Sequence, residues 1–157
     1  MNYCYVESPI GKLFLAGDQT GLRYINFPKG KKNVVPEPDW KEDRVFFEEA
    51  ARQLKAYFDG TLKRFSLQLA PKGTPFQLSV LRALQEIPYG KTVSYGELAR
   101  KIGRPGASRA VGAANAANPT PIVIPCHRVI GSDGTLTGFG GGLDVKQTLL
   151  DLEKRYR

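Results

Sequence analysis

The sequence predicts a mixed α/β chain of the α+β class, in which a small sheet with one helix precedes a mostly helical half. Three observations support this order. Short alternating segments between turn residues occupy positions 2–27, apolar residues at helical spacing follow near position 50, and capped helical patterns fill most of the chain after residue 73. With 157 residues the chain has room for two small domains, which we place at 1–72 and 73–157.

The first domain is predicted to be a β-meander closed by a helix. Turn residues separate three strand patterns at 2–6, 11–17 and 21–27. Apolar residues recur at helical spacing from about 43 to 58, which predicts an amphipathic helix, and a further short strand is expected at 65–69. This half has no cluster of carboxylates and no phosphate-binding loop, so we expect its role to be structural.

The second domain is predicted to begin with three helices. Thr74-Pro75 is a favourable helix start, since threonine caps the first turn and proline suits its first position. Ser94 and Glu97 form a capping-box pattern for a second helix that ends near Gly103. A third helix is expected over 107–117. Two short helices joined by a glycine-containing turn are typical of a helix-turn-helix unit.

The excess positive charge is concentrated in the middle of the chain. Lysine and arginine number 23 against 15 acids, and residues 87–128 hold six of these basic residues with one acid. Such a segment is the electrostatic pattern expected of a phosphate-binding surface. A merely solvated basic surface is the alternative, and the charge alone does not separate the two.

Several protein classes conflict with the composition. No apolar run approaches the roughly 20 residues that span a bilayer, and the start of the chain lacks a secretion signal, so we expect a cytoplasmic protein without membrane contact. Cys4 and Cys126 are the two cysteines, too few for a disulfide framework, and Cys4 is expected to be an inert thiol. With one histidine besides, the chain lacks the four ligands of a structural zinc site.

Cys126 and His127 are the strongest candidates for chemistry. The single histidine directly follows one of the two cysteines, after an apolar run at 122–124 that predicts a brief buried strand. A thiol reacts as thiolate, and a nearby histidine is a common base for it. The alternative is an inert buried cysteine, because consecutive residues on a strand point to opposite faces.

The predicted third helix has an unusual composition. Apart from Arg109 and Val111 its side chains are nearly all small, mostly alanine. A helix that reads bases in the major groove normally presents longer polar side chains. Small side chains instead permit close approach to a shallow surface, although tight packing against a neighbouring helix would also explain them.

Together, these segments resemble the O6-alkylguanine-DNA alkyltransferases. The matching motifs are YGELA at 95–99, SRAVG at 108–112, NP at 118–119, IPCHRV at 124–129, and GGL at 141–143 with Lys146. The resemblance is specific from Thr74 to Glu153 and is one of layout and length before that. It implies a ribonuclease H-like first domain without its metal site, followed by a winged helix-turn-helix domain that binds DNA.

The resemblance also implies a role for each catalytic residue. Cys126 would be the nucleophile, His127 the base that takes its proton through a water, and Glu153 the carboxylate that orients His127. Asn118 would brace the turn near the cysteine. Tyr95 would donate a hydrogen bond toward guanine N3 as the leaving group gains charge.

On the DNA side, the resemblance places the third helix in the minor groove. Arg109 would fill the gap left by an extruded nucleotide, with Ala107, Ser108 and Ala110 beside it at the DNA. Flipping is required because the O6 alkyl carbon is out of reach while the base is stacked.

The base itself would be read by main-chain groups of Cys126, Val129 and Gly140. Phe139 departs from the residue that many relatives carry before this glycine, and we expect it to alter the tolerance of large alkyl groups.

The function implied is a single-turnover repair reaction. The protein would move the alkyl group of O6-alkylguanine in duplex DNA irreversibly onto Cys126, as a monomer and without a cofactor or metal. Two alternatives stay open at this point. One is an alkyltransferase-like module that only binds lesions, although such proteins lack the cysteine. The other is a hydrolase or thiol sensor that uses Cys126 and His127.

Overall fold

The N-terminal half is built on a four-stranded sheet. The computed structural model describes residues 1–31 and 33–157. The sheet has the order β3-β2-β1-β4, with strands β1 (Asn2–Val6), β2 (Leu13–Asp18), β3 (Gly21–Asn26) and β4 (Lys41–Glu42). The first three strands pair antiparallel, whereas β4 pairs parallel with β1. The predicted meander is therefore confirmed, and a short fourth strand is added to it.

Helix α1 (Glu48–Phe58) packs on this sheet with Leu54 and Tyr57 on its buried face. The prediction began this helix about five residues too early. Residues 44–47 form turns instead, and the side chain of Asp43 accepts a hydrogen bond from the Phe46 amide at 3.1 Å. This local bond competes with the first helical turn, so the apolar spacing overestimated the length of the helix.

The strand expected at 65–69 does not form. Only a single parallel bridge joins Leu69 to Leu22, through hydrogen bonds from the Leu22 amide to the Gln68 carbonyl and from the Ala70 amide to the Leu22 carbonyl. The close approach depends on Gly21, where φ is +138° and a Cβ atom would lie 2.8 Å from the Gln68 carbonyl oxygen. The segment crosses the sheet edge at one point, which is too short for a strand.

The C-terminal half contains four helices: α2 (Pro75–Gln85), α3 (Tyr95–Lys101), α4 (Ser108–Ala116) and α5 (Leu143–Tyr156). The predicted helix starts are confirmed, because the side chains at both N-termini make complete capping boxes, Thr74 with Gln77 and Ser94 with Glu97. Two-residue strands β5 (Val93–Ser94) and β6 (Val129–Ile130) pair parallel and tie the start of α3 to the segment after Cys126. No helix in the described ranges is long and apolar enough to cross a membrane.

The segment before Cys126 is buried but is not a strand. Ile122 adopts φ +76° in a turn, Pro121 and Ile124 form an isolated bridge, and Cys126–Arg128 form one turn of 3₁₀ helix. Prolines at 119, 121 and 125 fix φ and remove backbone donors, so the segment cannot pair along its length. The predicted burial is confirmed and the predicted strand is wrong.

Candidate active site around Cys126

Cys126 lies at the boundary between the two halves. Its side chain is 4% exposed and lines a cleft of about 230 Å³. The cleft separates strand β3 and the segment after it from the C-terminal end of α4 and the residues near Phe139. The tilted rings of Phe27 and Phe139, 5.4 Å apart, join the two walls. The thiol is therefore buried in the protein yet adjacent to a space that a small group can enter.

Two side chains oppose the effect of burial on this thiol. Burial raises the pKa of Cys126 to about 11, while a hydrogen bond from the Asn118 side chain, the positive charge of Lys146 and, to a smaller extent, a main-chain hydrogen bond lower it. Asn118 is itself fixed, since its Nδ2 donates to the Ile124 carbonyl at 2.8 Å and its Oδ1 accepts from the Thr120 amide at 3.1 Å. The resting thiol is protonated at neutral pH, so a reaction at sulfur requires a base.

The imidazole of His127 is a candidate for that base, and the position of its proton is defined. The ring is fully buried, and its Nε2 lies 2.6 Å from Oε2 of Glu153. Because an ionised carboxylate only accepts hydrogen bonds, we assign the proton to Nε2. Nδ1 then carries the lone pair and has no hydrogen-bond partner among the described residues. Burial lowers the pKa of His127 although Glu153 raises it, so the ring is neutral at physiological pH.

Glu153 is held ionised by hydrogen bonds from both halves of the molecule. Besides His127, Nε and Nη2 of Arg128 donate to its two oxygens at 2.8 and 3.0 Å. The Tyr57 hydroxyl donates at 2.7 Å and the Gly90 amide at 3.1 Å. Burial alone would raise the pKa of Glu153, but the hydrogen bonds from His127 and Arg128 hold it well below the usual range.

Sequence reasoning missed two members of this network. Arg128 was counted among the basic residues of a DNA-facing segment, but it is 7% exposed and its charge is paired with Glu153. Its Nη1 also donates to the Ile87 carbonyl at 2.6 Å. Tyr57 was predicted on the buried face of a helix, and nothing in the spacing linked it to Glu153, 96 residues away.

Lys146 of α5 is a further buried charged group near Cys126. Its Nζ is fully buried and donates to the Val129 carbonyl at 2.6 Å and to the Thr137 carbonyl at 3.4 Å. Burial lowers its pKa, and the nearby Cys126 thiolate would raise it. Both main-chain groups of Val129 are thus used inside the protein, because its amide donates to the Cys126 carbonyl. The Gly140 carbonyl likewise accepts from the Lys31 amide at 3.2 Å.

The amino-acid sequence matches the two domains of one known protein family. Residues 1–71 match the ribonuclease-like domain of 6-O-methylguanine DNA methyltransferase, and residues 75–155 match the DNA binding domain of that protein. The chain belongs to this methyltransferase family. The expected order, a ribonuclease-like half followed by a helical DNA-binding half, is confirmed.

Relatives match over nearly the whole chain. A methylated-DNA–protein-cysteine methyltransferase of Methanosarcina acetivorans is 59% identical over 153 residues, which cover 98% of each chain. One from Mycolicibacterium paratuberculosis is 52% identical and covers 99% of this chain and 94% of its own. The crystal structure of Mycobacterium tuberculosis OGT in complex with DNA has a TM-score of 0.93 at 47% identity, covering 99% of this chain and 94% of the other.

Within the methyltransferase fold, one side of α4 is exposed to solvent and consists mostly of alanine side chains. Arg109, Ala110, Ala113 and Ala116 are exposed on one side of the helix, whereas Val111 and other residues of the opposite side are buried. Ser108 is exposed at the first turn and Ala107 is partly buried at the N-cap. Tight packing against a neighbouring helix therefore does not explain Ala110, Ala113 and Ala116, because these side chains are exposed.

Tyr95 lies beside this helix, where α3 begins. Its hydroxyl is 2.6 Å from the Thr137 hydroxyl, and a Cβ atom at Gly112 of α4 would contact its ring at 3.8 Å. Asn115, which the sequence did not single out, is buried at the end of α4 and donates to the Cys126 carbonyl at 3.3 Å. Helix α4 thus contacts Tyr95 through Gly112 and the main chain of Cys126 through Asn115, while its other face is exposed.

Proposed function

We propose that this protein repairs O6-alkylguanine in duplex DNA by transferring the alkyl group to Cys126 once per molecule. The observation that carries the proposal is the arrangement of Cys126 beside a cleft with a neutral His127 whose Nε2 is bound to Glu153. Relatives named as methylated-DNA–protein-cysteine methyltransferases support the same reaction.

The proton leaves the thiol before or during attack on the alkyl carbon. His127 accepts it at Nδ1 through a water, since Nε2 already donates to Glu153. The bond from Sγ to the alkyl carbon forms as the bond from that carbon to O6 breaks, and the electron pair of the broken bond stays on guanine. The proton taken from the thiol restores neutral guanine. A thioether offers no route back, so each molecule reacts once.

Two groups near the sulfur support the developing charges. Lys146 and Asn118 favour the thiolate at Cys126, by charge and by hydrogen bond. Tyr95 turns its hydroxyl from Thr137 to the base and donates toward guanine N3, where negative charge develops. Main-chain groups of Cys126, Val129 and Gly140 hold the base. The Val129 carbonyl accepts from Lys146 with one lone pair and keeps its second lone pair for the base. The Gly140 carbonyl accepts from the Lys31 amide, so its own amide is the group that faces the base.

The exposed face of α4 approaches the minor groove of DNA. Alanine methyl groups allow close contact with a shallow surface, and Arg109 takes the space of the flipped nucleotide. Ala107, Ser108 and Ala110 contact the DNA beside it. The exposed cations Lys91, Arg100 and Arg104 supply phosphate contacts that do not depend on sequence.

We also propose that the protein acts in the cytoplasm and as a monomer. The reaction needs no cofactor, because the thiol and the alkylated base are its only reactants. The division at 1–72 and 73–157 assigns the alkyl-transfer residues and the DNA face to the second domain. Phe139 lines the cleft next to Cys126, so its ring limits the alkyl groups that fit.

Mass spectrometry after incubation with duplex DNA containing one O6-methylguanine tests the proposal. We expect a gain of one methyl mass per protein molecule on the peptide that carries Cys126. The peptide that carries Cys4 is an internal control and should stay unmodified. Binding without mass gain would indicate a lesion-binding module, and methyl release beyond one equivalent would indicate a turning-over enzyme; either result would contradict the proposal.

A further inference from the structure

Tyr57 brings the N-terminal half into the buried network around Cys126. It belongs to α1, is fully buried, and donates its hydroxyl hydrogen to Oε2 of Glu153 at 2.7 Å. The other described donors to this carboxylate, His127, Arg128 and Gly90, all come from the C-terminal half. The network is thus completed across the boundary between the two halves.

The hydroxyl of Tyr57 is held in place by its ring. Ring centroids of Phe58, Phe65 and Tyr89 lie 5.3, 5.4 and 6.2 Å from it, so the side chain is packed by aromatic neighbours. Burial and the neighbouring Glu153 charge raise the pKa of Tyr57 far above its usual range. The phenol therefore stays protonated and acts as a permanent donor.

Tyr57 and His127 donate to the same oxygen. Oε2 accepts from His127 at 2.6 Å and from Tyr57 at 2.7 Å, and Nη2 of Arg128 adds a third contact at 3.0 Å. Each additional donor stabilises the negative charge on the oxygen and weakens its attraction for a proton on the imidazole. The tyrosine also limits rotation of the carboxyl group, which sets the direction of the His127 ring.

We propose that Tyr57 is a positioning residue for alkyl transfer, which fixes Glu153 against His127 and keeps the imidazole neutral. The inference rests on the proposed function, since it assigns His127 the part of the base. It gives the N-terminal half a part in the chemistry, through Glu153 and His127, where the sequence predicts only a structural role.

Tyr57→Phe tests this, because it removes one oxygen and retains the ring. His127 is the single histidine of the chain, so its ring resonances can be followed by NMR without further assignment. The charged and titratable groups around it are Glu153 and Lys146 of α5, Arg128 and Cys126 of its own turn, and Tyr57 of α1.

Loss of the Tyr57 hydroxyl leaves a stronger acceptor for the His127 proton. We expect the His127 titration to move to higher pH by about half a unit to one unit. In the pH–rate profile for transfer from free O6-benzylguanine, the fall in rate at low pH should also begin at a higher pH. On the plateau, transfer should slow roughly threefold to tenfold, because one hydrogen bond to a charged group is lost.

Tyr89→Phe is the matched control. Its ring lies next to Tyr57, its hydroxyl is buried, and that hydroxyl has no partner in the described part of the chain. This variant should leave the His127 titration and the rate profile unchanged. Equal shifts in both variants, or a lower melting temperature of Tyr57→Phe with unchanged His127 resonances, would overturn the proposal and leave Tyr57 a structural residue.

A second variant covers the case in which Tyr57→Phe does not fold. Replacing Tyr57 by 3,5-difluorotyrosine keeps the hydroxyl and makes it a stronger donor, so the His127 titration should move to lower pH. A shift to higher pH or no shift would contradict the inference. The NMR readout needs no DNA and no alkyl transfer, so wild-type protein that fails to transfer an alkyl group would refute the proposed function separately.

Discussion

Cys4 and Cys126 are both buried thiols, exposed by 2% and 4%, and burial raises the pKa of each to about 11. Their surroundings differ. Cys4 lies in β1 opposite Leu15, with Glu42 and Asp43 raising its pKa further although Arg44 lowers it. Cys126 borders a cleft, with Asn118 and Lys146 favouring its thiolate. Burial is thus common to both thiols, and the adjoining cleft and polar groups distinguish Cys126, which we propose to be the nucleophile.

The largest expected effect separates the two cysteines directly. Cys126→Ser should abolish alkyl transfer, because a serine hydroxyl is far less readily ionised than a thiol. Affinity for duplex DNA should change little, since phosphate contacts dominate binding and lie elsewhere. Cys4→Ser is the matched control and should retain one equivalent of transfer, measured with radiolabelled O6-methylguanine DNA. If the Cys4 variant lost transfer at unchanged stability, Cys4 would not be inert and the proposed difference between the two thiols would be wrong.

A second prediction concerns how the alkylated base reaches Cys126. Arg109→Ala should slow transfer from duplex DNA by about tenfold or more, because only that substrate requires a base held out of the stack. Transfer from free O6-benzylguanine should be nearly unchanged. Arg104→Ala, which removes another exposed arginine, serves as the control and should weaken binding through phosphate contacts alone. Equal loss on both substrates would place Arg109 in the base pocket.

The buried network of Cys126 has no counterpart at Cys4, and it should make stability depend on pH. The folded pKa of Glu153 lies below its unfolded value of 4.5, so its contribution is complete above about 4.5 and is lost as the pH falls. The folded pKa of His127 is also lowered from 6.5, so the unfolded state gains a proton first and stability declines below about 6.5. Urea unfolding between pH 3 and 8 measures both steps.

Glu153→Gln sharpens this prediction. It leaves the buried Arg128 charge without its carboxylate, which should lower the free energy of unfolding by about 3 kcal/mol. The loss of stability below pH 4.5 should become shallower, whereas the step below pH 6.5 should remain. An unchanged acid profile would show that other carboxylates dominate acid unfolding.

The sequence was sufficient where local signals decide the structure. Capping residues at Thr74 and Ser94 placed two helix starts, and alternation with turns placed three strands. It was insufficient at 122–124 and 65–69, because an apolar run or an apolar–polar alternation does not show whether a neighbouring strand is available for pairing. The contacts of Glu153 with Tyr57 and Arg128 were also missed, since they depend on how the two halves pack.

The family resemblance linked two residues that periodicity could not link. The resemblance from Thr74 to Glu153 predicts that Glu153 orients His127, and the structure places Nε2 of His127 2.6 Å from Oε2 of Glu153. Periodicity alone would have left Glu153 as a solvated acid on an exposed helix face. The tests of Cys126, Arg109 and Glu153 still have to establish what these residues do.

The smallest expected effect follows from reaction itself. Methylation of Cys126 adds volume to a side chain that is 4% exposed, and it replaces the thiol that is the hydrogen-bond partner of Asn118 by a thioether, which is a weaker partner. Overpacking costs about 1 to 3 kcal/mol, and the adjoining cleft favours the low end of that range. The melting temperature should fall by about 2 to 4 °C per kcal/mol. Hydrogen exchange should increase first at the turn that begins with Asn118, because this turn is fixed by the same side chain.

A benzyl group from O6-benzylguanine should lower the melting temperature more than a methyl group, because it adds more volume to the same site. A higher melting temperature after either reaction would show that the cleft accommodates the product without strain.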